Sequence, residues 1–276
     1  MERHVLYRME PSPTAAGLQE RYGRIVAAGF DGIELPLGPA HTCEMGEGTV
    51  PTAVRAVSEL PLPTGLGEGG LQVKAVAARC HTCDIPAALN EVNTLIDRAA
   101  GLGAQCLNLT IPPLARSRGD EGFTSYQAAL NYAYELLYHA RFEAEAAGVA
   151  VALEAGANGC LLSPVELRQI IDAANSWAAG ACIDVACIRR IGSPADWLRT
   201  LTARVHAVRV DYTRPADQPA STRPDDSIDF AAIAEALDDI RYDRIVIAAG
   251  LGDPAKIRTE LTKLGCPIPD KTREMI

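Results

Sequence analysis

The sequence predicts a single (β/α)8 barrel, the TIM barrel fold, over residues 1–276. Three observations favour this fold. Short apolar segments alternate with amphipathic helical segments eight times along the chain, which is typical of a parallel sheet covered by helices. The length of 276 residues is close to the roughly 250 residues of one such barrel. The glycine-rich turn that a dinucleotide-binding open sheet carries after its first strand is absent from the sequence.

The predicted elements follow from hydrophobic periodicity and from the residues that start and stop them. Strands are predicted at residues 4–9, 29–35, 72–77, 104–110, 149–154, 181–184, 205–210 and 244–248. Helices are predicted at residues 15–28, 49–60, 85–102, 126–147 and 194–202, and further helices begin at Ser163, Asp229 and Asp253. Glycines close two of the helices, and a Pro-Pro pair stops the fourth strand.

Residues 148–186 form the βαβ unit around which the prediction is organised. Side chains alternate along its first strand, which ends in Glu154, and its second strand ends in Asp184. Ser163 and Pro164 between them have the pattern of an N-cap and a first-turn proline. Such a unit is almost always parallel, so both carboxylates leave the sheet at the same end. That end is where barrels of this kind carry their chemistry.

Other polar residues are predicted at the same end of the barrel. Glu34 follows the second strand's alternation into the barrel interior, Asn108 projects from the fourth strand, and Asp211 lies two residues beyond Arg209 on the seventh. Cys187 follows Asp184 by three residues. We expect these four residues, Glu34, Asn108, Asp211 and Cys187, to contact a substrate. For Glu34, a purely structural hydrogen-bonding role is an equal alternative.

Composition excludes several classes of partner. The net charge is -9 and the isoelectric point is about 5.1, which argues against binding to nucleic acid. No apolar segment is long enough to span a membrane, and the N-terminal segment lacks a signal-peptide core. We therefore expect a cytoplasmic protein that acts on a small molecule, with its eight cysteines as free thiols. A tyrosine cluster on the longest helix is compatible with a homo-oligomer.

The order of several short motifs resembles the xylose isomerase-like barrels. These motifs are GFDGIEL, GVAVALEAG, CIDVAC, RVHAVRVDY, SIDFAAIAEAL and RIVIAAG. The resemblance extends over nearly the whole chain. That superfamily includes sugar and sugar-phosphate isomerases and epimerases, inosose dehydratases and endonuclease IV-type enzymes.

The resemblance also implies a metal site, from which this chain departs. Many epimerase-type members bind one divalent metal through Glu, Asp, His and Glu at the ends of strands five to eight, and the two Glu residues move the proton. Glu154 and Asp184 match the first two positions. Arg209 stands at the strand-seven position, and Ala248 or Ala249 at the strand-eight position. A register slip that placed His206 on strand seven would put Arg209 where the family prefers Asp.

Arg209 carries the main hypothesis about the site. A guanidinium has only hydrogen-bond donors and stays protonated, so it does not ligate a metal. Between Glu154 and Asp184 it would neutralise both carboxylates and take over the electrostatic role of the metal. The cofactor is therefore expected to be either none or one divalent metal (Mn, Mg or Zn) on Glu154 and Asp184. A non-catalytic ion-pair cluster is the alternative.

A second group of metal-binding residue types follows strands two and three. The tripeptide HTC occurs twice, at His41 to Cys43 and at His81 to Cys83, the second preceded by Cys80. His41, Cys80 and Cys83 are candidates for a zinc or redox site. Ordinary buried thiols are the more frequent reading of a single Cys-x-x-Cys pair.

Together these patterns predict an isomerase, epimerase or dehydratase that acts on a small sugar or hydroxy-carbonyl substrate. Glu154 is expected to abstract a proton next to a carbonyl, and Asp184 to orient the substrate or a metal. Arg209 is expected to stabilise the developing enolate. The alternative function is a non-catalytic ligand-binding barrel that has lost the family metal site.

Overall fold

A closed barrel of eight parallel strands forms the centre of the protein. The computed structural model describes residues 3–9, 15–37, 66, 70–115, 117, 121–156, 159–211, 228–250 and 252–268. Each strand pairs with the next in sequence order, and the eighth pairs with the first. The predicted (β/α)8 TIM barrel is confirmed.

The bounds of the elements are close to those predicted. The strands are β1 (His4–Arg8), β2 (Gly32–Leu37), β3 (Gln72–Arg79), β4 (Cys106–Thr110), β5 (Ala150–Glu154), β6 (Ala179–Asp184), β7 (Val205–Asp211) and β8 (Ile245–Ala249). The helices are α1 (Ala15–Ala27), α2 (Ile85–Gly101), α3 (Tyr126–Ala147), α4 (Pro164–Ala174), α5 (Val185–Ile188), α6 (Pro194–Leu201), α7 (Phe230–Asp239) and α8 (Pro254–Glu260). The helix predicted at residues 49–60 lies outside the described residues. The one-turn helix α5 was not predicted.

Side-chain caps fix the starts of the predicted helices. Ser163, Asp229 and Asp253 accept hydrogen bonds from backbone N–H groups in the first turns of α4, α7 and α8. These bonds satisfy donors that a helix start otherwise leaves without a partner. None of the described helices is both long and apolar enough to cross a membrane.

The barrel interior contains a layer of apolar and mostly small side chains. Its members are Leu6, Ala75, Cys106, Ala152, Cys182, Ala207, Ile245 and Ile247. The alternation of a strand places the next inward-facing residues of these strands one layer higher, toward the carboxyl ends. Polar side chains occupy most of that upper layer, directly above this apolar cluster.

Two irregularities in strand pairing affect the lower end of the barrel. The β2–β3 register shifts at Ile33/Glu34, so Lys74 is an extra residue on β3. The β6–β7 register shifts at Ala181/Cys182, so His206 is an extra residue on β7. Because a bulge changes the direction of a side chain, the second shift places His206 near the base of the barrel while Arg209 pairs with Asp184 at the top.

Candidate active site

Arg209 lies at the centre of a network of buried charges at the carboxyl ends of the strands. Its side chain is only 3% exposed. Nη1 donates to Oε2 of Glu154 at 2.6 Å, and Nη2 donates to Oε1 of Glu34 at 2.9 Å. Nη1 also lies 3.7 Å from Oδ2 of Asp184. One guanidinium thus joins carboxylates from β2, β5 and β6, as its rigid fork of donors allows.

Glu34 is the most enclosed member of the network and is fully buried. Besides Arg209, its Oε1 accepts a hydrogen bond from Nδ2 of Asn108 at 2.7 Å. Its Oε2 lies 3.6 Å from Nη1 of Arg8. Burial by itself would raise the pKa of Glu34, but the charges of Arg209 and Arg8 outweigh it and hold that pKa below its usual value. Glu34 is therefore held as a carboxylate between two arginines.

Asp184 ends β6 and also caps the short helix α5. Its Oδ1 accepts a hydrogen bond from the backbone N–H of Cys187 at 2.9 Å. Burial, followed by the negative charge of Glu154, raises the pKa of Asp184 to about 6, although Arg209 opposes the shift. A buried carboxyl with this pKa changes its protonation state near neutral pH.

Glu154 ends β5 and contacts other residues of the upper layer. In addition to Arg209, its Oε2 lies 3.5 Å from the hydroxyl of Thr110, which donates to it. Its side chain is 10% exposed, against 6% for Asp184. Both carboxyl groups are therefore close to the mouth of the barrel.

The donor set fits the family metal poorly. Glu154, Asp184 and Cys187 each offer a ligand atom, and these atoms lie within 4.8 Å of one another. However, the guanidinium of Arg209 lies beside both carboxylates, where its positive charge would repel a divalent cation. On β8, the interior positions Ile245 and Ile247 place Ala249 at the mouth, where it supplies no ligand. Within the described residues, the four-ligand arrangement that the resemblance implies is not reproduced.

Of the other predicted site residues, one lies inside the network and two lie near the mouth of the barrel. Asn108 is completely buried and contacts Glu34 rather than the open mouth. Asp211 ends β7 and is half-buried, and Cys187 is 6% exposed. The structure thus brings Glu34, Asn108, Glu154 and Asp184 together around Arg209, with Cys187 at the edge of the group.

The predicted thiol site is described only in part. His41 lies outside the described residues. Cys80 is buried, with Sγ 3.0 Å from the hydroxyl of Tyr132 and 3.3 Å from Oε2 of Glu91, whereas Cys83 is exposed. Burial raises the pKa of Cys80 to about 11, so this thiol stays protonated at neutral pH. Within the described part of the chain, Cys80 and Cys83 belong to no group of three metal-ligand residues.

Sequence reasoning missed two members of the network, Arg8 and Thr110. Arg8 has the same strand parity as Leu6, which lies inside the barrel, and Thr110 has the same parity as Asn108. The signal was therefore present in the alternation of β1 and β4.

Comparisons with known proteins agree with this architecture. A family model described as xylose isomerase-like TIM barrel matches residues 23–264. No curated protein matches the chain. A D-psicose 3-epimerase from Clostridium cellulolyticum H10, solved with D-tagatose, is 14% identical with a TM-score of 0.63, and the match covers 98% of this chain and 93% of that one.

Two further solved structures share the fold. The IOLI protein, solved with a bound zinc atom, is 15% identical with a TM-score of 0.65, and the match covers 96% of both chains. An L-ribulose 3-epimerase is 18% identical with a TM-score of 0.63, and the match covers 98% of this chain and 88% of that one. At these identities, the similarity establishes the shared fold.

Proposed function

Because the chain belongs to the xylose isomerase-like TIM barrel family, we propose that it is an enzyme that removes a proton next to a carbonyl group. Its reaction is of the isomerase, epimerase or dehydratase class, on a small sugar or hydroxy-carbonyl compound. The observation that carries this proposal is the buried contact of Arg209 with Glu154 and Glu34, beside Asp184. A fixed cation beside buried carboxylates suits a reaction that develops negative charge on oxygen.

In this proposal the base is Asp184, in place of the Glu154 expected from the sequence. Glu154 shares a short charge-assisted hydrogen bond with Arg209, which makes its carboxylate a weaker acceptor for a substrate proton. Asp184 lies farther from Arg209, and its pKa of about 6 is close to the operating pH that general-base catalysis favours. Glu154 would then hold Arg209 in place, and Glu34 would do the same from the opposite side.

Arg209 has the electrostatic role in this proposal. When the base takes a proton from the carbon next to the carbonyl, the electron pair moves to the carbonyl oxygen and forms an enolate. The guanidinium is held from two sides before the reaction begins, so little reorganisation is needed to stabilise that oxygen. Return of the proton to the former carbonyl carbon, while the proton of the neighbouring hydroxyl passes to the enolate oxygen, completes an isomerisation. Expulsion of a β-hydroxyl group, which takes up the abstracted proton and leaves as water, completes a dehydration.

The substrate class is inferred from the solved relatives and from the polar mouth. The psicose and ribulose epimerases act on ketose sugars, as their names state. In this chain the hydroxyl of Thr110 and the thiol of Cys187 lie next to the two carboxylates, so a polyhydroxylated compound would find both donors and acceptors. We propose a small ketose or 2-hydroxy carbonyl compound as the substrate.

The first experiment measures proton exchange, because exchange does not require that the product be known. The protein is incubated in D2O with a panel of ketoses and hydroxy-carbonyl compounds, and deuterium at carbon is followed by NMR. An active enzyme incorporates deuterium, and Asp184→Asn should abolish incorporation. Incorporation by Asp184→Asn at the wild-type rate would exclude Asp184 as the base. If the folded wild-type protein binds the compounds without exchange, the barrel is a binding protein.

Metal content is the second measurement. We propose that Arg209 takes the electrostatic place of the family metal, since the guanidinium lies beside the carboxylates that would be its ligands. Elemental mass spectrometry of protein purified without chelators should show no stoichiometric Mn, Mg or Zn. A stoichiometric metal that is lost in both Glu154→Gln and Cys187→Ser would instead assign a site to Glu154, Asp184 and Cys187, with zinc favoured by the thiol.

A further inference from the structure

A cavity lies at the opposite end of the barrel from Arg209. Its volume is about 400 Å³, and its walls include Trp177, Arg204, His206 and Arg244. These residues precede or begin β6, β7 and β8, so the cavity is at the amino ends of the strands. The volume is within the range of small-molecule sites, which is about 300–1,000 Å³.

The cavity is lined by hydrogen-bond donors that the protein leaves largely unused. His206 is only 9% exposed, yet its ring makes no hydrogen bond within the described residues. Arg244 is half-buried, and its one hydrogen bond in the described part of the chain is a long one, 3.5 Å from Nη1 to the carbonyl of Val205. Both side chains line the cavity, so their remaining donors are available to a polar occupant.

The position of His206 depends on a specific local arrangement. It is the extra residue of the β7 bulge, and its ring lies against Gly180 on β6. A Cβ atom at residue 180 would be 1.8 Å from Cδ2 of His206. A glycine and a bulge together make room for this ring beside the cavity. Burial, followed by the charge of Arg244, lowers the pKa of His206 to about 3, so the ring is neutral and has one donor and one acceptor.

Charge and apolar surface in the cavity indicate the class of ligand. Arg204 and Arg244 provide two positive charges, and one of them is offset by Asp172, which pairs with Arg204. Trp177 is 59% exposed, so much of the apolar surface of its ring is available to a ligand. The net positive charge persists although the whole protein carries -9.

We propose that this cavity binds a small organic anion, with its phosphate or carboxylate on Arg244 and His206 and its apolar body on Trp177. A guanidinium recognises either oxyanion through paired donors. The neutral imidazole adds a donor without competing for the charge. This site is separate from the proposed catalytic mouth, and its occupancy does not depend on the reaction assigned there.

Binding is tested with phenyl phosphate, inorganic phosphate and benzoate at constant ionic strength. Trp177 and the buried Trp197 are the two tryptophans of the chain, so tryptophan fluorescence reports on the cavity. We expect a saturable fluorescence change that is absent in Trp177→Phe. Arg244→Gln should weaken binding about tenfold or more, as expected for the loss of charged hydrogen bonds. Phosphate and carboxylate probes compared at the same concentration identify the preferred oxyanion.

The control is Arg199→Gln, which removes the same charge from an exposed residue that does not line the cavity. It should bind as the wild type does. If Arg244→Gln does not fold, Arg204→Gln replaces it. The proposal is overturned if sodium chloride causes the same fluorescence change, or if Arg8→Gln weakens binding while Arg244→Gln does not, because the anion would then lie at the catalytic mouth.

Discussion

The Arg209→Gln substitution tests whether the charge network is a single unit. The change leaves Glu34 and Glu154 buried without the guanidinium that contacts them at 2.9 and 2.6 Å. Removing one partner of a buried ion pair typically destabilises a protein by about 3–5 kcal/mol. The free energy of unfolding of a native protein is about 5–15 kcal/mol. The loss would therefore be a large part of the total stability. Arg8 compensates only partly, since it lies 3.6 Å from Glu34.

Urea denaturation followed by circular dichroism measures this loss of stability, and the loss should depend on pH. In the wild type, the lowered pKa of Glu34 stabilises the fold above the pKa of the unfolded chain, and this contribution is lost as pH falls through the folded value. Without Arg209, burial would raise the carboxyl pKa values, so the penalty should be largest at pH 8 and shrink toward pH 5. The control Arg24→Gln breaks an exposed pair with Asp253 and should cost less than about 1 kcal/mol. A loss of that small size in Arg209→Gln would refute the argument.

Four further outcomes follow from the geometry and the charges of the described residues. The value of kcat/KM should fall as pH drops below about 6, because Asp184 must be ionised to act as a base. A pH-rate profile measures this fall, and Asp184→Asn should be inactive at every pH of the profile. The same raised pKa means that ionisation of Asp184 lowers stability as pH rises from about 4 to 6, so Asp184→Asn should gain stability relative to the wild type over that interval in denaturation experiments. Gly180→Ala should destabilise the protein by about 1–3 kcal/mol through the clash with His206. The double variant Gly180→Ala, His206→Ala should recover part of the lost stability. An unchanged unfolding midpoint in Gly180→Ala would contradict the assigned position of the His206 ring. A thiol reagent should modify Cys83 under native conditions and leave Cys80 unmodified, which mass spectrometry of tryptic peptides can check.

The fold was predictable because its signals are local and repeated. Alternation within each strand, glycines after helices and capping residues such as Ser163 are visible in short windows of sequence, and each strand pairs with its sequence neighbour. The contact of Glu154, Asp184 and Arg209 followed from strand parity together with the family resemblance, which placed Arg209 at the strand-seven position. In each case a short-range pattern determined a long-range position.

The parts that were missed depend on relations between distant residues. The alternation of β1 places Arg8 on the interior side, but its contact with Glu34 depends on the register between β1 and β2, which aligns the two residues. The lower-end cavity depends on a bulge, and a bulge is a property of the pairing between two strands rather than of either strand. The protonation state of Asp184 depends on burial and on the charge of Glu154, neither of which has a sequence pattern.

Ala249 at the end of β8 has a stereochemical consequence. An enzyme that inverts a carbon centre by proton transfer needs an acid on one face of the planar enolate and a base on the other. In the described part of this barrel, Glu154, Asp184 and Asp211 end the adjacent strands β5, β6 and β7, and β8 contributes only a methyl group at the mouth. Glu34 on the far side is enclosed by Arg209, Arg8 and Asn108. In the proposed mechanism, a proton taken by Asp184 therefore returns to the face it left, so among the three proposed reactions a carbonyl shift or an elimination is favoured over epimerisation.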